Sequence, residues 1–330
     1  MPENLVKKIA ENIYCCPIPL PDNPLKWLNC YVIRGYEGQR SLLMDTGFNQ
    51  KPCLDALLQG MDELGLRPEL TDIFLTHLHS DHTGNAARLT EMGCRVLMGE
   101  IDKARMNKSR WAKRMELFEV EGMPHELIQQ VVDSNPGMLY APKLFDAVGV
   151  ADGDMLSYGG YELECIHVPG HTPGQICLYA KKEKILFSSD HILFDISPNI
   201  TVWAGFEDPV GQYIESLGKI MELDVVLCLP AHRTTGSKTM RERAQELIAH
   251  HQRRLAETER IIRENPGIRA YDMAGMMSWR IRANSWAEFP PAQKNFAFLE
   301  TLAHIEYLLA HGMIRKLTDE DGKASYMAAN

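Results

Sequence analysis

The chain has 330 residues, 45% of them hydrophobic and 24% charged, with a formal net charge of −9. That length predicts two domains, and the composition excludes wholesale disorder. The acidic balance argues against a generic binder of polyanions, leaving only a local basic groove for such a role.

The N-terminus, MPENLVKKIAENIYCC, is charged and lacks the apolar core of a secretory signal, and no run approaches 18 uncharged apolar residues. A cytoplasmic protein with no membrane partner is expected. Cys15, Cys16, Cys30, Cys53, Cys94, Cys165, Cys177 and Cys228 form no C-x-x-C pair, and most lie in apolar runs such as QICLYA and VVLCLP. They read as buried free thiols of a reducing compartment.

From about residue 12 to 200, short apolar runs alternate with polar turns. LNCYVI, SLLMDTG, DIFLTH, CRVLMG, YELECIHV, ICLYA and KILFSSD read as strands, with helical patterns at CLDALLQGMDELG and TGNAARLTEMG. This rhythm predicts a layered α/β architecture with helices on the outer faces of sheets. Residues 100–150 are longer than a connection and contain two predicted helices, about 100–119 and 124–133. On the first, Met106, Arg110, Trp111, Met115 and Phe118 fall near one another. This insertion reads either as an extra hairpin packed on the body or as a lid over a site. LDVVLCLP is a late buried strand. From about 237 the pattern turns helical: one long charged helix runs to Pro266, with His250 and His251 facing solvent. The end, HIEYLLAHGMIRKLTDEDGKASYMA, reads helix, turn, strand, turn, strand, the order of a winged helix. The predicted domains are 1–235 and 236–330.

The chemistry is concentrated in Thr76-His77-Leu78-His79-Ser80-Asp81-His82-Thr83-Gly84. Residues two apart in extended chain point the same way, so His77 and His79 can grip one ion together. Asp81 and His82, at the start of the following helix, face a neighbouring position. Three imidazoles and a carboxylate in H-x-H-x-D-H spacing suit zinc or a similar divalent metal. Further ligands stand at predicted strand ends: His171 in Val-Pro-Gly-His-Thr-Pro-Gly, Asp190 after KILFSS, and His232 after VVLCLP. Asp190, with two oxygens, suits a bridging position.

With Asp45 in MDTG, these motifs resemble the metallo-β-lactamase superfamily over roughly residues 12–235. The resemblance implies an αββα sandwich with a two-metal site at one edge. By it, His77, His79 and His171 hold one ion, Asp81, His82 and His232 hold the other, and Asp190 bridges. Asp45 would orient a ligand from behind; a turn aspartate before Gly47 is the alternative reading. Asp190 replaces the cysteine of the zinc β-lactamases, and His79 replaces the glutamate usual in flavodiiron proteins. The set is similar to the glyoxalase-II, lactonase, thioesterase and ribonuclease Z side. The tail resembles the winged helix of lactamase-beta-2-type proteins.

These expectations define a metal-dependent hydrolase with two divalent ions, zinc first and manganese or iron as alternatives. Two ions lower the pKa of a bridging water towards ~7, and the resulting hydroxide attacks an ester-type bond. Asp81 doubles as ligand and proton acceptor. The expected substrate is a small molecule, a thioester, lactone or small ester. An endoribonuclease or phosphodiesterase is the first alternative, but from residue 241 onward Lys and Arg outnumber Asp and Glu only 13 to 12, a weak basic excess for phosphate tracking. A non-catalytic metal-binding interaction protein is the second. Trp203, Phe206 and Tyr213 are candidate substrate wall residues, Arg233 and Thr234 candidate oxyanion contacts, and a homodimer is the default assembly. His191 is not read as a ligand, because the set is complete without it.

Overall fold

In the computed structural model, residues 5–106, 111–280, 283 and 285–329 are described. The chain forms two compact units. The first comprises Met1–Asn107, Tyr140–Pro198 and Ser216–Ala244; the second comprises Lys108–Leu139, Asn199–Glu215 and Gln245–Asn330.

Two sheets build the first unit. One has seven strands in sequence order: β1 (Lys7–Ala10), β2 (Ile13–Pro19), β3 (Trp27–Ile33), β4 (Ser41–Met44), β5 (Thr71–Leu75), β6 (Arg95–Gly99) and β7 (Val148–Val150). It is antiparallel up to β4 and parallel from β4 to β7. The other has five strands: β8 (Met155–Tyr158), β9 (Tyr161–His167), β10 (Ile176–Ala180), β11 (Ile185–Ser189) and β12 (Leu227–Pro230). β11 and β12 run parallel, so both end on the same side.

Successive residues of a strand point to opposite faces, and the cores follow that rule. Leu42, Met44, Phe74 and Leu97 of the first sheet join Leu163, Cys165, Ile176, Leu178, Ile185 and Phe187 of the second in one apolar cluster. Their neighbours Leu43, Ile73, Leu75, Val96 and Met98 enter another cluster, with Leu57 and Met61 from helix Lys51–Glu63 and Leu89 from helix Ala86–Glu91. The first sheet is therefore covered on both faces, which is why its parallel strands read as continuous apolar runs.

The second unit contains helices Trp111–Val120, His125–Ser134, Ala270–Met276 and Pro291–Ala310, most of helix Met240–Glu264, and a hairpin of β13 (Ile314–Thr318) and β14 (Ala324–Ala328). Phe118 meets Phe298 edge-on at 5.7 Å. Buried Glu121 joins Lys316 at 2.7 Å and the Tyr326 hydroxyl at 2.7 Å. Ile268 makes a strand-like bridge to Tyr326 of β14.

Two sequence expectations fail here. His251 is fully buried, with Nδ1 3.1 Å from His304 Nε2. Leu247, His251, Arg254, Thr258 and Ile261 are all buried, a stripe at helical spacing that the charge of the helix conceals in sequence. The expected surface of Met106, Arg110, Trp111, Met115 and Phe118 does not form as one face either. Met106 packs on the core of the first unit, whereas Phe118 is in the core of the second; Arg110 and the Trp111 side chain lie outside the described residues. Tyr213 is fully buried and edge-on to His251 at 5.3 Å, and Arg114 lies over the Trp203 ring. Among the described residues no helix is long and apolar enough to cross a membrane.

Candidate metal centre

The seven predicted ligands converge at strand ends of the first unit. β5 is buried along its whole length and releases the chain at Thr76, so His77 and His79 leave the same sheet edge; helix Ser80–Thr83 then presents Asp81 and His82. His171 sits on the turn between β9 and β10, Asp190 follows β11, and His232 follows β12. The parallel pairing of β11 and β12 is what brings Asp190 and His232 together.

Among the described residues, three groups of donor atoms could each hold an ion, with donors within 4.8 Å of one another: His77, His79 and His171; His77, His82 and Asp190; and Asp81, His82 and His232. His77 Nε2 is 3.1 Å from His79 Nδ1. Asp190 stands among both ends of the cluster: Oδ2 is 3.6 Å from His171 Nε2 and 3.7 Å from His82 Nε2, and Oδ1 is 3.4 Å from His232 Nε2. Asp81 Oδ2 is 3.4 Å from His232 Nε2 and 3.7 Å from His82 Nε2.

The residues present fit a metal ion. His82 Nε2 and His232 Nε2 are buried with no hydrogen-bond partner among the described residues, an arrangement that costs free energy unless something else satisfies them. Tetrahedral donors ~2.0–2.1 Å from one ion stand ~3.4 Å apart, close to the 3.4–3.7 Å separations here. Second partners aim both rings inward. His82 Nδ1 donates to Asp45 Oδ2 at 2.8 Å, and His232 Nδ1 donates to the Trp27 carbonyl at 3.1 Å, so each Nε2 is directed towards the centre, free to be the ligating atom when an ion displaces its proton.

Electrostatics agree. Burial, reinforced by neighbouring imidazoles, holds His77 well below the usual histidine range and brings His79 down to about 3. Both are neutral at pH 7, as ligands must be. Burial also opposes charge on His82, but Asp45, Asp81 and Asp190 outweigh it and hold that ring well above the usual value. Three carboxylates thus favour positive charge at this point, be it proton or ion. Asp81 is brought down to about 2: burial opposes its charge, and His82 and His232 overcome that opposition.

Backbone strain marks the same region. Asp45, Ser189 and Arg233 have φ of 64°, 49° and 63°, the left-handed region that non-glycine residues enter at a cost. Asp45 is held there by its own carboxylate, which accepts from the Thr76 backbone N–H at 2.9 Å and the Thr76 hydroxyl at 3.0 Å. Thr76 Oγ1 is also 2.7 Å from Ser189 Oγ, linking the segment before His77 to the segment before Asp190. Thr234 donates through N–H and Oγ1 to Asp195 Oδ2, and the Arg233 guanidinium donates to the Pro24 carbonyl.

Sequence reading missed Asp102. It is fully buried on helix Glu100–Met106 and accepts hydrogen bonds from Leu78 N–H, Thr172 Oγ1 and Gly174 N–H. Burial pushes it up to about 6 against those bonds. Nothing in Glu100-Ile101-Asp102 separates it from the ordinary acidic first turn of a helix.

The sequence model of the Metallo-beta-lactamase superfamily matches residues 28–232. The chain belongs to that superfamily. Its fold is the mixed α/β fold of the family, shared with a metallo-beta-lactamase family protein from Thermus thermophilus at a TM-score of 0.81 and 27% identity, covering 97% of this chain and 100% of that one. Among curated relatives, an acyl-coenzyme A thioesterase, MBLAC2, from Gallus gallus is 28% identical over 59% of this chain and 67% of its own length. A Beta-lactamase-like protein 2 homolog from Caenorhabditis elegans is 25% identical over 78% of this chain and 74% of its own. As a superfamily member carrying this His/Asp cluster, the chain is a metal-binding hydrolase.

Proposed function

We propose that this hydrolase cleaves a carboxylic ester-type bond of a small molecule, an acyl thioester first, at a centre for two divalent ions, zinc foremost. The observation that carries the reading is Asp190, which lies 3.6 Å from His171 Nε2 and 3.7 Å from His82 Nε2 through Oδ2 and 3.4 Å from His232 Nε2 through Oδ1, and so touches donors of both halves. In this reading His77, His79 and His171 hold one ion, Asp81, His82 and His232 hold the second, and Asp190 is shared. When bound, such ions lower the pKa of a water towards ~7 and polarise an acyl oxygen. Asp81 would accept the proton released from the attacking water, and Asp45, accepting from His82 Nδ1, would keep that ring in the tautomer that points Nε2 inward. The thioester choice draws its support from the likeness to an acyl-coenzyme A thioesterase.

A second reading, a metal-dependent endoribonuclease, is favoured by one feature. Helix Met240–Glu264, the Ile268–Tyr326 bridge, helices Ala270–Met276 and Pro291–Ala310, and the β13–β14 hairpin follow one another in the order of a winged helix, a frequent nucleic-acid reader. The near balance of charge beyond residue 240 weighs against that reading.

The test pairs metal content with a panel of acyl thioesters, lactones, simple esters, bis-p-nitrophenyl phosphate and single-stranded RNA, each with and without chelator. About two ions per chain and chelator-sensitive thioester turnover are expected. Asp81→Asn should lose about 10²–10⁴-fold in kcat, the usual scale for a positioned proton acceptor. RNA cleavage without any ester turnover would overturn the thioester reading, and full activity of Asp81→Asn with metal retained would remove the proton-acceptor role.

A further inference from the structure

Helix Glu100–Met106 supplies no candidate ligand, yet its Asp102 ties together two segments that do. Oδ2 accepts from Leu78 N–H at 3.1 Å, and Leu78 lies between His77 and His79. Oδ2 also accepts from Thr172 Oγ1 at 2.6 Å, and Oδ1 from Gly174 N–H at 2.7 Å, both on the turn that carries His171. The fit is close enough that a Cβ at Gly174 would lie 2.3 Å from the Asp102 backbone nitrogen and 2.8 Å from Oδ1. His82 and His232 are oriented by other groups, the Asp45 carboxylate and the Trp27 carbonyl. Asp45 also reaches the first half through Thr76, whose hydroxyl is 3.1 Å from His77 Nδ1, whereas Asp102 bonds directly only to the His77–His79 segment and the His171 turn.

We propose that Asp102 is a positioning residue that sets the metal affinity of the His77/His79/His171 half and leaves the Asp81/His82/His232 half untouched. The inference rests on the two-ion reading above. Its physical basis is preorganisation: one buried carboxylate holds the His77–His79 segment and the His171 turn at ligating distance before an ion arrives, so binding does not have to order them. An amide at this position keeps one acceptor oxygen but sets its N–H₂ against the donors of the other, Gly174 N–H or the Leu78 N–H and Thr172 hydroxyl pair, and releases at least one segment.

The test uses the full chain with cobalt(II) as probe, titrated against a chelator and followed by absorption. His171→Ala and His232→Ala serve as spectral markers for the two halves. For Asp102→Asn, about 10–100-fold weaker binding is expected in the half that His171→Ala removes, with unchanged affinity in the half that His232→Ala removes. The thermal midpoint of the metal-free variant is measured alongside, because a purely structural role would lower it without altering either affinity. Thr172→Val deletes one of the three bonds, is milder should Asp102→Asn fail to fold, and should shift the same half in the same direction. Equal weakening of both halves, or wild-type affinity at both in the folded variants, overturns the proposal. Should the wild type itself take up a single ion, the two-ion reading fails separately; the role of Asp102 is then read on the ion that His171→Ala abolishes, weakened if it holds and unchanged if it does not.

Discussion

Asp45 shows how much of this centre is decided one side chain at a time. Its carboxylate fills a buried position, turns the backbone to a φ of 64°, accepts from Thr76 and holds His82 by Nδ1. Asparagine tolerates left-handed backbone nearly as well, so Asp45→Asn separates the charge from the turn. Its amide nitrogen, placed against the imidazole or Thr76, loses the orienting bond. Metal affinity is expected to drop about 10–100-fold in chelator competition, while the metal-free fold survives; unchanged affinity would assign Asp45 to the turn alone. His77, His79, Asp81 and His82 were legible in the sequence because they fall within six residues and share one local geometry. His171, Asp190 and His232 were visible only as polar residues following apolar runs. Asp102 was not visible, because its partners Leu78, Thr172 and Gly174 are distant in the chain.

At the level of elements, the site depends on how tightly strand ends and short helices pass one another. Gly84, which closes helix Ser80–Thr83, runs so near the Gly47–Asn49 segment that a Cβ would stand 2.3 Å from Asn49 N and 2.5 Å from Gly47 O. Those are backbone atoms and cannot rotate away. Gly84→Ala should therefore cost about 1–3 kcal/mol in urea unfolding and displace Asp81 and His82, weakening metal binding as well; wild-type stability would show that the two segments yield freely. Strands β3 to β6 and β9 to β11 were readable because each is an apolar run ending at a turn or a functional residue. Helix Met240–Glu264 was readable in length but not in face. Its charge suggests a solvated rod, and only the packing of His251 on His304 and Tyr213 reveals the buried stripe.

Across the whole molecule, the two sheets of the first unit are joined at a polar pin as well as by apolar contact. Asp72 of β5 is fully buried; it accepts from Arg40 Nε at 2.7 Å, is paired with the Arg95 guanidinium at 2.5 Å, and receives the hydroxyl of Tyr158 from β8 at 2.5 Å. Burial alone would raise its pKa, but Arg95, Arg40 and Tyr158 together hold it below the usual aspartate value. A depressed folded-state pKa contributes stability above the unfolded value, and that contribution is lost as pH falls through the folded one. Asp72→Asn should be less stable by about 1–3 kcal/mol at pH 7, and the gap to wild type should close below about pH 4, read from urea midpoints across pH. A gap independent of pH would mean that the pin acts by shape and not by charge. The sequence by itself determined the layered α/β class, the H-x-H-x-D-H segment and the helical character of the tail, because each rests on periodicity or spacing within a few residues. Tertiary structure alone decided which strand ends meet, since parallel pairing of β11 with β12 and of β4 through β7 depends on contacts between distant segments. It alone grouped 108–139 and 199–215 with the tail. Burial of those pieces is a property of their partners, and no local pattern in the chain carries it.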